Sequence, residues 1–323
     1  MFTKQSQYLD NTKISTYKEC PRKYLMRHVL GWTVDGGGQK PPALVFGSSW
    51  HAGMDAAWGA SKDASIGDRV DLAMEGFRKQ WEEDNYTFDL TMEQQDDLGA
   101  RTPGTAHEMF YSYITQRERM IRECTVLGIE QPIAMPFPDL KDTWYVGKLD
   151  KVVDYNGVHV LEHKTTTLYR IKGNFDNDYL ESWNSASQVK GYQMTGSIYY
   201  PKLQDVWVDC SLVHKKVHDA FKFVPVAHSW DLLQEWITDT RRWIVSIQEE
   251  VKEYEQVGSL EKGTFRRNED NCYGKYSKCP FLNICSTTSD PTKLKEVPAG
   301  YVVDRWEPFD VLKLDKLIRG NDK

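Results

Sequence analysis

Between Gly147 and Lys164 the chain reads as two β-strands joined by a tight turn, and this hairpin constrains the fold more than any other stretch. Residues 147–155 and 158–164 alternate in polarity and are rich in β-branched side chains, with Asn156-Gly157 between them as a strong hairpin signal. Loop length decides what the hairpin can do. A two-residue turn sets Asp150 opposite His163 and sends the carboxylates of Asp150 and Glu162 to opposite faces. A three-residue loop, Tyr155-Asn156-Gly157 with Gly157 left-handed in a bulge, sets Asp150 across from Glu162 and brings Lys148 and Lys164 to the same face. Opposed side chains then lie with Cβ atoms roughly 4.5–5.5 Å apart, where like charges destabilise. A cation between the carboxylates relieves that repulsion, so the three-residue loop is predicted. Two carboxylates and a lysine so placed can hold a divalent metal beside a phosphodiester; a surface hairpin with scattered charges is the bland alternative.

The chain has 323 residues, enough for one large domain or two ordinary ones. No apolar run approaches the roughly 20 residues of a membrane span, and residues 1–11 lack a signal-peptide core, which predicts an intracellular, cytoplasmic protein with no membrane partner. A net charge of −6 weighs mildly against a nucleic-acid partner. The distribution matters more: Lys13, Lys18, Arg22, Lys23 and Arg27 form a basic N-terminal stretch broken by Glu19. Six cysteines are unevenly spread. Cys124 and Cys210 sit in regular segments as small core residues. Cys272, Cys279 and Cys285 crowd an irregular stretch with no nearby histidine, and Cys20 is the natural fourth thiolate. In an intracellular protein such a set favours a metal over disulfides, and four thiolates suit zinc and an iron–sulfur cluster equally. Such a site would tie the N-terminus to the region near residue 280.

Periodicity predicts helices over residues 14–29, 47–58 (with His51 in the first turn), 68–83 (with Asp68 as N-cap), 103–124 (with Pro103 at the first position), 185–199 and 230–255. Strands are predicted over 129–138 and 206–217, a flexible loop over 35–42 and a short docking helix over 309–318. Gln188 and Tyr192 lie one helical turn apart on one face. His214 and His218, at the end of a strand-like run, read as surface residues. Trp183 with Lys190, and Trp50 with Arg22, are candidate base-stacking pairs. The order of helices, hairpin-rich sheet and further helices is mixed α/β.

The ordered set of motifs resembles the RecB-type exonucleases of the PD-(D/E)XK superfamily, in the branch that carries an iron–sulfur cluster and includes CRISPR-associated and helicase-linked nucleases. The pattern stands here as Cys20, His51, Gly147 to Asp150, Glu162 to Lys164, Gln188 to Tyr192, then Cys272, Cys279 and Cys285. Six residues separate Cys272 from Cys279, more than relatives often have. The resemblance implies a restriction-endonuclease-like mixed central sheet flanked by helices and closed by a four-cysteine metal cluster. It implies a single nuclease domain over 1–290, a helical insertion over about 55–128, and a C-terminal tail over 291–323. It assigns His51, Asp150, Glu162 and the His163 carbonyl to Mn2+ or Mg2+, with Asp150, Glu162, Lys164, Gln188 and Tyr192 as catalytic residues. Cys20, Cys272, Cys279 and Cys285 would hold the cluster, 4Fe-4S or alternatively zinc. The implied activity is metal-dependent DNA exonuclease action, at single-stranded ends, in recombination or repair. The partners are DNA and a helicase, recombinase or CRISPR-adaptation complex, or a second copy of the chain, in a cellular or phage setting. The competing readings are a non-catalytic DNA-binding module with structural zinc and a DNA-trimming CRISPR-adaptation subunit.

Overall fold

The computed structural model describes residues 7–36, 40–170, 174–260, 263–274 and 278–320. Residues 37–39 of the predicted loop and 275–277 of the cysteine-rich stretch lie outside the described residues. The chain is mixed α/β, built on a six-stranded sheet with both parallel and antiparallel pairs. Its strands are β1 (Tyr8–Leu9), β2 (Thr125–Pro136), β3 (Trp144–Asp154), β4 (Val158–Thr166), β5 (Leu203–Leu212) and β6 (Phe221–Val226). They run in the order β1-β3-β4-β5-β6, with β2 on β3. The principal helices are α1 (Asn11–Glu19), α2 (Pro42–Gly59), α3 (Ile66–Glu83), α4 (Pro103–Glu123), α5 (Ser187–Tyr199) and α6 (Trp230–Val257). Contacts divide the chain into two compact units, residues 1–36, 132–147 and 230–323 in one, 37–131 and 148–229 in the other. Among the described residues no helix is long and apolar enough to cross a membrane.

The second unit carries the hairpin. Strands β3 and β4 pair antiparallel from Asp154↔Val158 to Lys151↔Leu161, leaving the three-residue loop predicted. Asn156 rather than Gly157 takes the left-handed position, at φ 55°, while Gly157 opens to φ 142°. Asn tolerates that region through its short polar side chain, whereas the φ of Gly157 suits glycine alone. Strand β4 then pairs parallel with β5, and β5 antiparallel with β6. Helix α5 lies within the crossover from β4 to β5, the kind of connection a parallel pair needs.

Helices α2, α3 and α4 of this unit enclose an aromatic core of Trp50, Phe77, Trp81, Phe110 and Tyr113. Trp50 stacks on Phe110 with centroids 4.3 Å apart. Each such ring removes roughly 150–250 Å² from water, at most about 4–6 kcal/mol. Glycines bring α2 and α3 together: a Cβ on Gly76 would stand 2.7 Å from the Ala52 carbonyl oxygen, and one on Gly53 2.7 Å from that of Ala73. Trp50 is 0 % exposed, so it cannot stack a base, and that expectation is corrected.

Several helix boundaries move for local reasons. Helix α2 begins at Pro42, a favoured first-turn residue, so His51 lies mid-helix rather than in the first turn. Helix α3 is capped by Ser65, with Asp68 completing a capping box at the third position. In the other unit the predicted 14–29 helix starts at Asn11 behind an Asp10 cap and breaks at Cys20. Pro21 forces its predecessor out of the helical region, and Cys20 is extended at φ −164°, ψ 115°. A short helix, Pro21–Tyr24, and a π-turn, Leu25–Val29, follow. The 309–318 helix is two pieces, Pro308–Val311 and Asp315–Gly320, joined where Lys313 takes φ 51°. Between them Leu312 and Leu314 pack with Ala134 and Val146.

Candidate active site

Carried one residue beyond Lys151↔Leu161, the hairpin register sets Asp150 across from Glu162. There the Asp150 side chain takes up main-chain pairing, since Oδ2 accepts from the His163 N–H at 2.8 Å. The same oxygen faces His51 Nδ1 of α2 at 3.2 Å. Glu162 Oε1 accepts from Lys164 Nζ at 2.5 Å and from Gln188 Nε2 of α5 at 3.0 Å. Gln188 Nε2 also lies 2.9 Å from the Tyr192 hydroxyl, one helical turn on. His51, Asp150, Glu162, Lys164, Gln188 and Tyr192 therefore form one connected set. Strands place the two carboxylates and Lys164, and α2 and α5 bring His51, Gln188 and Tyr192. An open groove lined by Ser48, His51, Asp55, Asp150, Lys164 and Thr165 gives access.

The electrostatics are those of crowded, buried carboxylates. Burial raises the Glu162 pKa and the neighbouring Asp150 charge adds to it, with Lys164 opposing, leaving it at about 7. Burial acts likewise on Asp150, but the His51 and Lys164 cations outweigh it and hold its pKa well below the usual range. Burial disfavours the His51 imidazolium, yet Asp150 and Glu162 outweigh that and its pKa is raised. Lys164 is raised in the same way, Glu162 and Asp150 overcoming burial. Glu162 Oε2 is buried without a hydrogen-bond partner.

Such a donor set, carboxylate oxygens with one imidazole and an unserved buried oxygen, fits a hard divalent cation. Among the described residues no three His, Cys, Asp or Glu side chains stand together as a ready-made ligand group. The third expected protein ligand besides Asp150 and Glu162 is His51, whose ring nitrogen is turned to Asp150.

Sequence reasoning missed the neighbours of this set. Lys148, expected on the face of Lys164, lines the groove with it and pairs there with Glu130. Lys151, fully buried, pairs with Asp55 of α2 at 2.5 Å, one helical turn from His51. Behind β4, the His163 ring meets Asp209 and Tyr113. Asp209 was detectable as the one charge inside the apolar run from Val206 to Leu212. Trp183 stands over Lys164, its ring centroid 5.7 Å from Nζ. His214 accepts through Nδ1 from the Lys216 and Val217 amides, a local turn contact.

In the other unit, Cys20, Cys272, Cys279 and Cys285 line one small pocket. Cys20 Sγ accepts from the Asn268 N–H at 3.4 Å, and the Cys279 N–H donates to the Cys272 carbonyl at 2.8 Å. Arg22 Nε reaches the Phe265 carbonyl and Nη1 that of Ser289, so the segment after Cys20 is held to the C-terminal region. Burial raises the Cys285 thiol to about 11, against the opposing Arg267 and Arg22 charges. Cys124 and Cys210 are buried as core residues.

A mixed central sheet flanked by helices, with an aspartate, a glutamate and a lysine close together on its antiparallel hairpin, is consistent with a restriction-endonuclease-like fold. The chain belongs to the PD-(D/E)XK nuclease superfamily, whose model matches residues 11–286. A crystal structure of a putative exonuclease from Eubacterium rectale is similar at 18% identity, over 76% of this chain and 82% of that one, with a TM-score of 0.45. No curated protein matches the chain in sequence.

Proposed function

We propose that this nuclease is a metal-dependent DNA exonuclease of the RecB type, acting at single-stranded ends in recombination, repair or DNA processing. The observation that carries the reading is that Asp150 and Lys164 line one groove while Glu162, bonded to Lys164, lies buried beside them with one oxygen left unserved. His51, Asp150, Glu162 and the His163 carbonyl would hold Mn2+ or Mg2+. The bound ion supplies a Lewis acid for the phosphate and lowers the pKa of its water. Lys164 stabilises charge developing on the phosphate or orients the attacking water, its cation kept protonated by the two carboxylates. Gln188 fixes the Glu162 rotamer, and Tyr192 in turn buttresses Gln188. Trp183 beside Lys164 offers an aromatic face on which a strand end can stack.

The four cysteines would hold an iron–sulfur cluster of structural role, joining the two ends of the chain. That all four cysteines line one pocket supports this, and the Asn268 N–H directed at Cys20 Sγ ties the two ends together there. Zinc in the same thiolates is the alternative.

The direct test uses linear and covalently closed circular single strands, and duplex of the same sequence, with Mn2+. Release of mononucleotides from linear single strands, with circles left intact, is the expected result. Cleavage of circles at an equal rate would replace the exonuclease reading with an endonuclease one. Iron and sulfide analysis of anaerobically purified protein should find both; stoichiometric zinc without sulfide would refute the cluster.

A further inference from the structure

Lys164 lines the groove and holds the buried Glu162 carboxylate, yet the residue between the two is held from the opposite side of the sheet. The His163 N–H donates to Asp150 Oδ2, while its ring turns into the core. There Nδ1 lies 3.0 Å from Asp209 Oδ2. Tyr113 of α4 donates its hydroxyl to the same oxygen at 2.6 Å. Asp209 is the β5 partner of His163 in the parallel register, and both side chains are 0 % exposed. Asp209 Oδ1 and His163 Nε2 are buried with no hydrogen-bond partner.

A buried carboxylate with one oxygen unserved weakens a fold, and apolar residues of the same volume would pack these strands without that penalty. What a carboxylate alone supplies here is an acceptor for two donors at once. His163 Nδ1 and the Tyr113 hydroxyl both meet Asp209 Oδ2, so the carboxyl group holds the ring in one orientation. Tyr113 restricts the carboxylate rotamer from the other side. Fixing the His163 side chain fixes its peptide planes. Those planes carry the N–H that holds Asp150, and they adjoin Glu162 and Lys164. Small displacements of such groups are costly to catalysis, which depends on geometry held to about 0.5 Å.

We propose that Asp209 is a positioning residue of the nuclease site: with Tyr113 it locks His163, and through the His163 main chain it sets Asp150, Glu162 and Lys164. The role rests on the nuclease reading of the groove.

Asp209→Asn preserves volume but replaces a pure acceptor with an amide. Measured with Mn2+ on a single-stranded oligonucleotide, kcat should fall about 10–100-fold, the usual effect of removing an outer partner of a metal site. KM should stay within about twofold, because no substrate contact is removed. Long-range 1H–15N correlation spectra of the metal-free protein should place the wild-type His163 proton on Nδ1, and Asp209→Asn should shift that tautomer. Tyr113→Phe, which removes one hydroxyl and keeps the ring packing, should lower kcat several-fold; it decides the matter if Asp209→Asn does not fold. Wild-type kcat in folded Asp209→Asn overturns the role while leaving the nuclease reading intact. So does wild-type kcat in Tyr113→Phe if Asp209→Asn does not fold, or an Nε2 proton on wild-type His163. Absence of cleavage by the wild type overturns the nuclease reading and this role together.

Discussion

His28 should make the protein lose stability as pH falls below about 6.5, the ordinary histidine value. The ring is 6 % exposed, and neither nitrogen has a hydrogen-bond partner. It packs tilted on Tyr24 with centroids 5.1 Å apart. Burial, then the charges of Lys13, Arg27 and Lys23, lowers its pKa from the ordinary 6.5 to about 3. The unfolded chain therefore takes up the proton first. Stability is complete above the unfolded pKa and is lost as pH falls toward the folded one. Linkage with these two values gives a loss of about 0.8 kcal/mol at pH 6 and about 2 kcal/mol at pH 5, relative to pH 8. His28→Phe keeps the ring packing and removes the titration. Urea unfolding at pH 8, 6 and 5, followed by circular dichroism, should show the wild type losing about 2 kcal/mol more than the variant by pH 5. Parallel pH dependences in the two proteins would show that His28 is solvated or paired, and would refute the reasoning.

Other perturbations test other parts. Gln188→Ala removes a hydrogen bond to a buried carboxylate, so it should lower stability by about 1.5–3 kcal/mol and cut kcat about 10–100-fold; unchanged turnover in the folded variant would remove Gln188 from the site. Gly76→Leu forces a side chain against the Ala52 carbonyl and should destabilise by about 1–3 kcal/mol in thermal or urea unfolding; a neutral result would mean that α2 and α3 are not closely packed. Cys279→Ser should abolish the visible absorption of the proposed cluster and lower the melting temperature, and a spectrum and melt like the wild type would refute the four-thiolate site.

The hairpin was legible because loop length, side-chain alternation and two carboxylates all require one register. Even there the left-handed residue was misassigned: Asn156 accepts that conformation, and Gly157 goes where no side chain can follow. Helix starts are less legible: Pro103 signals a first helical position, but Pro42 reads as part of a flexible loop and Pro21 lies inside the helix that periodicity predicts. Pro42 opens a helix that carries His51 in its middle, and Pro21 breaks one at Cys20. The association of Gln188 with Tyr192 followed from helical spacing alone, since the two share a face. Tyr113 and Asp209 are 96 residues apart in sequence, and only tertiary packing brings them together. Trp50 beside Arg22 failed for the same reason, because an aromatic residue in an amphipathic helix gives no sign in isolation of how deeply it is buried.

We propose that Asp150, Glu162 and Lys164 together form a metal-dependent nuclease centre. The most direct measurement is release of end label from a single-stranded oligonucleotide by anaerobically purified wild type, Glu162→Ala and Lys164→Ala, each with Mn2+, Mg2+ or chelator. Metal-dependent release is expected from the wild type alone, with both variants folded by circular dichroism. Turnover at the wild-type rate in either variant, or undiminished cleavage in chelator, would contradict it.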